Sequence, residues 1–296
     1  MKRKLISQGG GGYTIYLPKK WVDELRLKPG EEVEVTPKDK NLIISAKPGK
    51  VINSKTFDLE TVNKNHIRSV IASAYKAGYD EIILNFKEQP KVHEINAIIN
   101  TFTGLELFSQ KKNSVTIKSF LTTRPEDVES LIVKMFQMIN LITKTIQEEW
   151  SRIDIKNVDS TVLNIRKLRD HCLRTVHFHK YGGDKSYDYY DLVTQLEKIA
   201  TSFVHFGHYV HRNRPKRCVL FKQQAARFKE FYECYLKKEF SKSNALWAKH
   251  NREIKNTLHS ENINKLMRKY PAFLVYHYSI THQFKHIASR IMALSS

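Results

Sequence analysis

Residues 2–47, KRKLISQGGGGYTIYLPKKWVDELRLKPGEEVEVTPKDKNLIISAK, decide how this chain is read. A short basic strand leads into four glycines, Gly9–Gly12, and then into the alternating strand Tyr13-Thr14-Ile15-Tyr16-Leu17. Pro18 follows where the first residue of a helix is expected, a position at which a missing N–H costs little. Lys19-Lys20-Trp21-Val22-Asp23-Glu24-Leu25 supplies that helix, and Trp21, with Val22 and Leu25, reads as core. Lys28-Pro29-Gly30 supplies a turn, Glu31–Thr36 alternates again, and Asp39-Lys40-Asn41 turns the chain into a last strand at Leu42–Ala46. Four short strands and one small helix are too few to close a core, so a partner chain is expected.

Charge is the strongest compositional signal. Lys and Arg number 50 against 30 acidic residues, a formal net charge of +20, which favours a polyanionic partner such as nucleic acid or an anionic membrane surface. The surplus is spread along the chain: 11 basic against 6 acidic residues over 1–50, 9 against 7 over 51–120, and 30 against 17 over 121–296. The helical part therefore has charge of its own to offer. Hydrophobic content of 41 % is ordinary for a globular chain. No run approaches the ~18 apolar residues of a membrane span and no signal peptide is evident, so no membrane insertion is expected. Cys172, Cys218 and Cys234 are too few and too scattered for a disulfide framework, which points to a reducing cytoplasm.

The order of elements in residues 2–47 closely resembles the AbrB/SpoVT/MazE family of swapped-hairpin DNA-binding domains. Its LPKKWV and LKPGEEVEV segments look most like the leader domain of archaeal PhoU-like phosphate-uptake regulators. The resemblance implies that two copies interleave their hairpins into one β-barrel, a two-fold homodimer that grips double-stranded DNA. It also implies a basic face built from Lys2, Arg3 and Lys4 of the first strand and Lys19 and Lys20 of the first helix. Two lysines at a helix start oppose the helix dipole, which a purely structural role does not explain. Gly9–Gly12 is not a phosphate loop, because no Gly-Lys-Ser/Thr follows and the next element is a strand.

The expected fold is multidomain α+β: an AbrB-like domain over 1–50, a small α/β unit over 51–121, and an all-α domain over 122–296. In the middle unit, strand-like Lys55–Asp58, a helix over Val62–Ala77 closed at Gly78, the strand Glu81–Phe86, a helix over Val92–Phe102 and a hairpin around Lys112-Asn113 give βαβαββ. That order suggests a ferredoxin-like or related split sheet. Beyond it, Val128, Leu131, Ile132, Met135, Met138, Ile139, Ile142 and Ile146 recur at three- and four-residue spacing, and further helices fit about 160–180, 187–211, 217–239, 241–268 and 272–294. Arg212-Asn213-Arg214-Pro215 splits them into two sets of three. With Leu196–Ala200 in one set and His286–Ile291 in the other, this zone resembles the PhoU fold.

PhoU proteins hold metal clusters on E-x-x-x-D pairs. Here Glu197 is followed by Thr201 where the aspartate would stand, and Thr281–His286 in the second repeat offers no carboxylate. No cofactor is therefore expected. The alternative is a softer nitrogen site drawn from His205, His208, His282 and His286, with Glu197 beside it. No H-E-x-x-H and no paired nucleophile and base are present, so the chain is not expected to be an enzyme. The leading expectation is a dimeric DNA-binding transcription regulator, with phosphate homeostasis the pathway the resemblance suggests. The alternative is an interaction protein that docks a phosphate transporter, kinase or other signalling protein and uses its AbrB-like part only to dimerise.

Overall fold

The computed structural model describes residues 3–38, 41–46, 53–61, 63–217, 219–258 and 271–294. Two compact units divide the chain, residues 1–52 and residues 53–296.

In the first unit, β1 (Ile6–Gln8) and β2 (Gly12–Thr14) form an antiparallel hairpin with Ile6 opposite Thr14 and Gln8 opposite Gly12. Gly10 and Gly11 turn it at φ of 92° and 86°, a backbone region closed to most side chains. Ile15–Leu17 lies outside the strand, so β2 is shorter than the alternation predicts. The helix α1 (Lys19–Glu24) is capped by Pro18, whose carbonyl accepts from Val22 N at 3.1 Å. Pro18 is thus the cap and not the first helical residue, because its ψ of 123° is extended. Arg26 ends the helix at φ 52°, with Leu27 N returning to Val22 O at 3.0 Å. The turn at Lys28–Glu31 is closed by Glu31 N on Lys28 O at 3.1 Å and by Gly30 at φ 90°. Then β3 (Val33–Lys38) pairs antiparallel with β4 (Asn41–Ala46). The two hairpins are separate two-stranded sheets. Among the residues of this unit whose exposure is described, none is buried, and Trp21 is half-buried where a core position was expected. A six-residue helix and two hairpins have too little chain to enclose it.

The second unit opens with β5 (Ser54–Leu59), α2 (Lys64–Lys76), β6 (Glu81–Phe86), α3 (Val92–Ile99), β7 (Leu105–Lys111) and β8 (Ser114–Ser119). Asn63 starts α2 by accepting from Asn65 N at 2.9 Å and His66 N at 3.2 Å. The sheet order is β5-β6-β8-β7, with β5 parallel to β6 and the other pairs antiparallel. This corrects the ferredoxin-like expectation, since a split sheet inserts a strand between the two parallel ones. Here β5 is an edge strand directly beside β6. Its sequence, Ser-Lys-Thr-Phe-Asp-Leu, is largely exposed and suits an edge, whereas Ile82 and Leu84 of β6 are fully buried. Ile67, Ile71, Tyr75, Ile95 and Ile99 pack from the helices onto Ile82, Leu84, Val115 and Ile117.

Among the described residues six long helices follow: α4 (Asp127–Glu148), α5 (Ile155–His179), α6 (Ser186–Asn213), α7 (Val219–Leu236), α8 (Ser243–Leu258) and α9 (Pro271–Ala293). Helices α4, α5 and α6 pack on one another, as do α7, α8 and α9, and the two sets meet through α6 with α9 and α4 with α7. Of the predicted stripe on α4, Val128, Ile132, Met135, Ile139, Ile142 and Ile146 are at 0–1 % exposure, and Leu131 and Met138 are half-buried beside them. Rings of Phe203, Phe206, Phe221, Phe228, Phe231 and Phe284 fill the seam. No helix among the described residues is long and apolar enough to cross a membrane.

The α/β layer and the helices belong to one unit, and Arg174 of α5 shows how they are joined. Its guanidinium is 3 % exposed and donates to Tyr75 O and Tyr79 O, each at 2.9 Å, and to Asp80 Oδ1 at 2.7 Å. The cation sits at the carboxyl end of α2, where the helix dipole favours it. Tyr75 lies under it with its ring centroid 5.1 Å away.

Candidate nucleic-acid interface

Of the cations singled out for phosphate binding, those described stand where an anion can reach them. Arg3, Lys4, Lys19 and Lys20 are all exposed, while Lys2 lies outside the described residues. Arg3 and Lys4 precede β1 rather than forming part of it. The pairing of Ile6 with Thr14 closes the hairpin at one end, and both Lys4 and the segment leading to α1 leave from that end. Along the chain, Lys4 stands two positions before Ile6, and Lys19 stands five after Thr14. Both basic regions thus lie on segments that leave the same end of the first hairpin.

Lys19 and Lys20 occupy the first turn of α1, which carries no acidic residue. Lys20 pairs loosely with Glu24 at 3.9 Å, both ends well exposed, and such a pair contributes little to stability. Lys19 makes no ion pair among the described residues. Cations at the positive end of a helix whose first turn holds no acidic residue suit an external polyanion better than the fold itself.

The residues weighed for a nitrogen-based metal site do not converge. His208 Nε2 instead meets Asp159 Oδ1 at 2.7 Å, across from α6 to α5. His282 and His286 stack edge-on to each other on α9 at 4.9 Å. Burial, reinforced by the neighbouring His282, holds the His286 imidazole below its ordinary pKa. Glu197 is engaged by Arg166 Nε at 3.0 Å and Arg169 Nη1 at 3.1 Å, and Thr201 donates to it at 2.9 Å. Burial pushes the Glu197 carboxyl up, but the hydrogen bond from Arg166 and the charge of Arg169 outweigh it and keep the group below the usual carboxylate range. Two guanidinium groups leave that carboxylate little negative charge for a metal ion. Among the described residues, no three His, Cys, Asp or Glu side chains come together as a ligand set.

Two buried polar assemblies were not legible in the sequence. Glu129 of α4 accepts from Tyr181 at 3.2 Å, Tyr189 at 3.0 Å and Tyr235 at 2.6 Å. Burial first and the Glu129 charge second raise all three phenols, Tyr181 to about 12. The second assembly joins α7 to α9, where Gln224 Nε2 donates to His277 Nδ1 at 2.8 Å and Thr281 Oγ1 at 2.8 Å. An accepting Nδ1 requires a neutral ring, and burial lowers the His277 pKa to about 4, with Arg227 adding to the effect. Both tie helices together.

Comparison with known families bears on the first unit. Residues 6–51 match the model of a family described as antidote-toxin recognition MazE, bacterial antitoxin. The N-terminal unit carries a MazE-like segment. This match takes in both hairpins and α1, so Lys19 and Lys20 lie within it and Arg3 and Lys4 just ahead of it. Neither the comparison with curated proteins nor that with solved structures yields a match for the chain.

Proposed function

We propose that the protein is a homodimeric, DNA-binding transcription regulator whose N-terminal unit grips duplex DNA. The observation that carries this reading is the coincidence of a MazE-like segment with exposed cations on the two segments that leave the open end of its first hairpin. Two such units, interleaved into one barrel, would present Lys2, Arg3, Lys4, Lys19 and Lys20 twice, on a surface related by a two-fold axis. Such symmetry suits an operator with two half-sites. Most of these cations would neutralise phosphates and set the register, leaving sequence readout to a few side chains at base edges.

The helical part would sense a signal or dock a partner. Its resemblance to PhoU makes phosphate homeostasis the pathway we favour, with support from two sets of three helices in the expected order. A second reading is an interaction protein that dimerises through its hairpins and docks a transporter or kinase through its helices, for which the exposed Leu163 and Phe178 of α5 and Tyr187 of α6 would serve.

Binding to duplex DNA over a range of salt separates the two. Alanine at Lys19 and Lys20 together, or at Lys2, Arg3 and Lys4 together, should weaken binding. Each should also flatten its salt dependence, by roughly 0.9 for every phosphate that is no longer neutralised. Slopes unchanged in both variants would contradict the proposal for the N-terminal unit.

A further inference from the structure

The connection between α6 and α7 reads His211-Arg212-Asn213-Arg214-Pro215-Lys216-Arg217, four permanent cations in seven residues with no carboxylate among them. All but Pro215 are exposed. A flexible basic tail would be unremarkable, but this loop is fastened at several points. Trp150 Nε1 donates to Pro215 O at 2.6 Å, His211 Nδ1 donates to Ile153 O at 3.2 Å, and Arg217 Nη2 donates to Glu148 O at 3.3 Å. Arg214 closes α6 in the left-handed region, at φ 44°. The loop is thus held rigidly on the turn between α4 and α5.

The carboxylates of that turn and of the helix ends beside it have partners elsewhere. Glu148 faces Lys144 at 3.9 Å, Glu149 accepts from Asp154 N, Asp154 caps α5 through Asn157 N, and Asp159 holds His208. Arg212, Arg214 and Lys216 make no ion pair among the described residues. A groove of about 360 Å³ continues from the loop along α6 and α9, lined by His205, His208, Tyr209, Arg212, Asn213 and Tyr276. It adds further donors and no free carboxylate.

We infer that the α6–α7 loop, with Arg212, Arg214 and Lys216, is a second phosphate-binding surface for duplex DNA, carried by the helical unit itself. Charge complementarity selects a polyanion, and composition selects DNA over a membrane. Membrane-surface segments pair their cations with inserted Leu, Phe or Trp, and this loop exposes none. Arginine and asparagine fixed on a rigid support are instead the donors that match phosphate oxygens and groove edges. The surface does not depend on the hairpin unit's role, so either can fail alone.

The test measures binding of the full chain to a mixed-sequence duplex by fluorescence anisotropy across a salt series. The variant combines Arg212→Ala, Arg214→Asn and Lys216→Ala, with asparagine chosen because it tolerates a positive φ. It should lower the salt slope by up to roughly 3, at about 0.9 per neutralised phosphate. It should do so again in a Lys19→Ala, Lys20→Ala background. Lys216→Ala alone should lower the slope by about 0.9. Arg212→Lys with Arg214→Lys should retain it. An unchanged slope in the triple variant, with binding that still responds to Lys19 and Lys20, would overturn the inference and leave the hairpin reading intact. A slope that responds to the loop but not to Lys19 and Lys20 would support the inference and sink the hairpin reading. Loss of binding to phosphatidylserine vesicles with DNA binding untouched would also overturn it, assigning the loop to a membrane surface.

Discussion

Residues 3–46 and the unit that begins at residue 53 treat apolar side chains in opposite ways. The first leaves Leu5, Ile6, Tyr13, Ile15, Tyr16, Leu25, Val35 and Leu42 between 39 and 72 % exposed and buries none of those described. The second encloses whole phenylalanines at 0–1 % exposure between its helix sets, and a further cluster lies under the mixed sheet. Both draw on similar alternating or periodic sequence. The difference is length: a helix of 22 to 28 residues can turn a full stripe inward, while a six-residue helix and two hairpins cannot. Large apolar faces left open on a small unit call for a second copy, and each such side chain contributes roughly 1.5–3 kcal/mol when it is buried.

The contrast sharpens first at Arg174, a buried cation that joins the α/β layer to the helices of the second unit. Arg174→Ala leaves two backbone carbonyls and Asp80 without their buried donor, and should destabilise this unit by about 3–5 kcal/mol. Chemical denaturation followed by the fluorescence of Trp150 and Trp247 would register it. A loss below about 1 kcal/mol would mean that the α/β layer is held by apolar packing alone.

His277 comes next, and its sign can be worked out. The folded-state pKa lies near 4, below the ordinary 6.5, so the unfolded chain takes up the proton first on acidification. The stability of the buried neutral ring is fully present above about pH 6.5 and is lost as pH falls toward 4. The loss approaches roughly 3 kcal/mol at about 1.4 kcal/mol per pKa unit. His277→Gln should flatten the melting temperature over that window, and an equally steep profile in the variant would assign the acid sensitivity to other groups.

A smaller effect is expected at Tyr235, whose hydroxyl donates to the Glu129 carboxylate at 2.6 Å. Tyr235→Phe should cost about 1.5–3 kcal/mol, as for a hydrogen bond to a charged group. Tyr181→Phe, at 3.2 Å, should cost less. Equal costs would show that the three phenols act as one network.

The least effect on a single chain is predicted where the comparison bears hardest. Val35→Ser and Leu42→Ser alter side chains already exposed, so the fold of a lone unit should change by less than about 0.5 kcal/mol. Association of two chains should nonetheless weaken at least tenfold. Gel filtration at falling concentration would reveal it, and an undiminished dimer would place the interface elsewhere.

How much of this was legible depended on periodicity. The stripe from Val128 to Ile146 announced α4 and Gly78 marked the end of α2, because each is a local requirement of the backbone. Strand order was not legible. The sequence of β5 gives its pattern but not its neighbour, and only its polarity hinted at an edge. Arg174, Glu129 and His277 were invisible because their partners lie far along the chain: Tyr75 is 99 residues from Arg174, and Tyr235 is 106 from Glu129. In sequence, the loop at Arg212–Arg217 reads as a break between helix sets. Its charge is plain there, but its rigidity, which depends on Trp150 meeting Pro215, is not. At the proposed DNA-binding end, Lys19 and Lys20 stand out because they oppose the helix dipole, a local conflict that sequence does display.

The central claim is that the first unit is half of a fold and that a second copy completes it. Sedimentation equilibrium of residues 1–52, with circular dichroism on the same samples, tests it most directly. The account predicts a dimer whose strand signal and melting temperature fall together on dilution. A folded monomer that persists at micromolar concentration would contradict it.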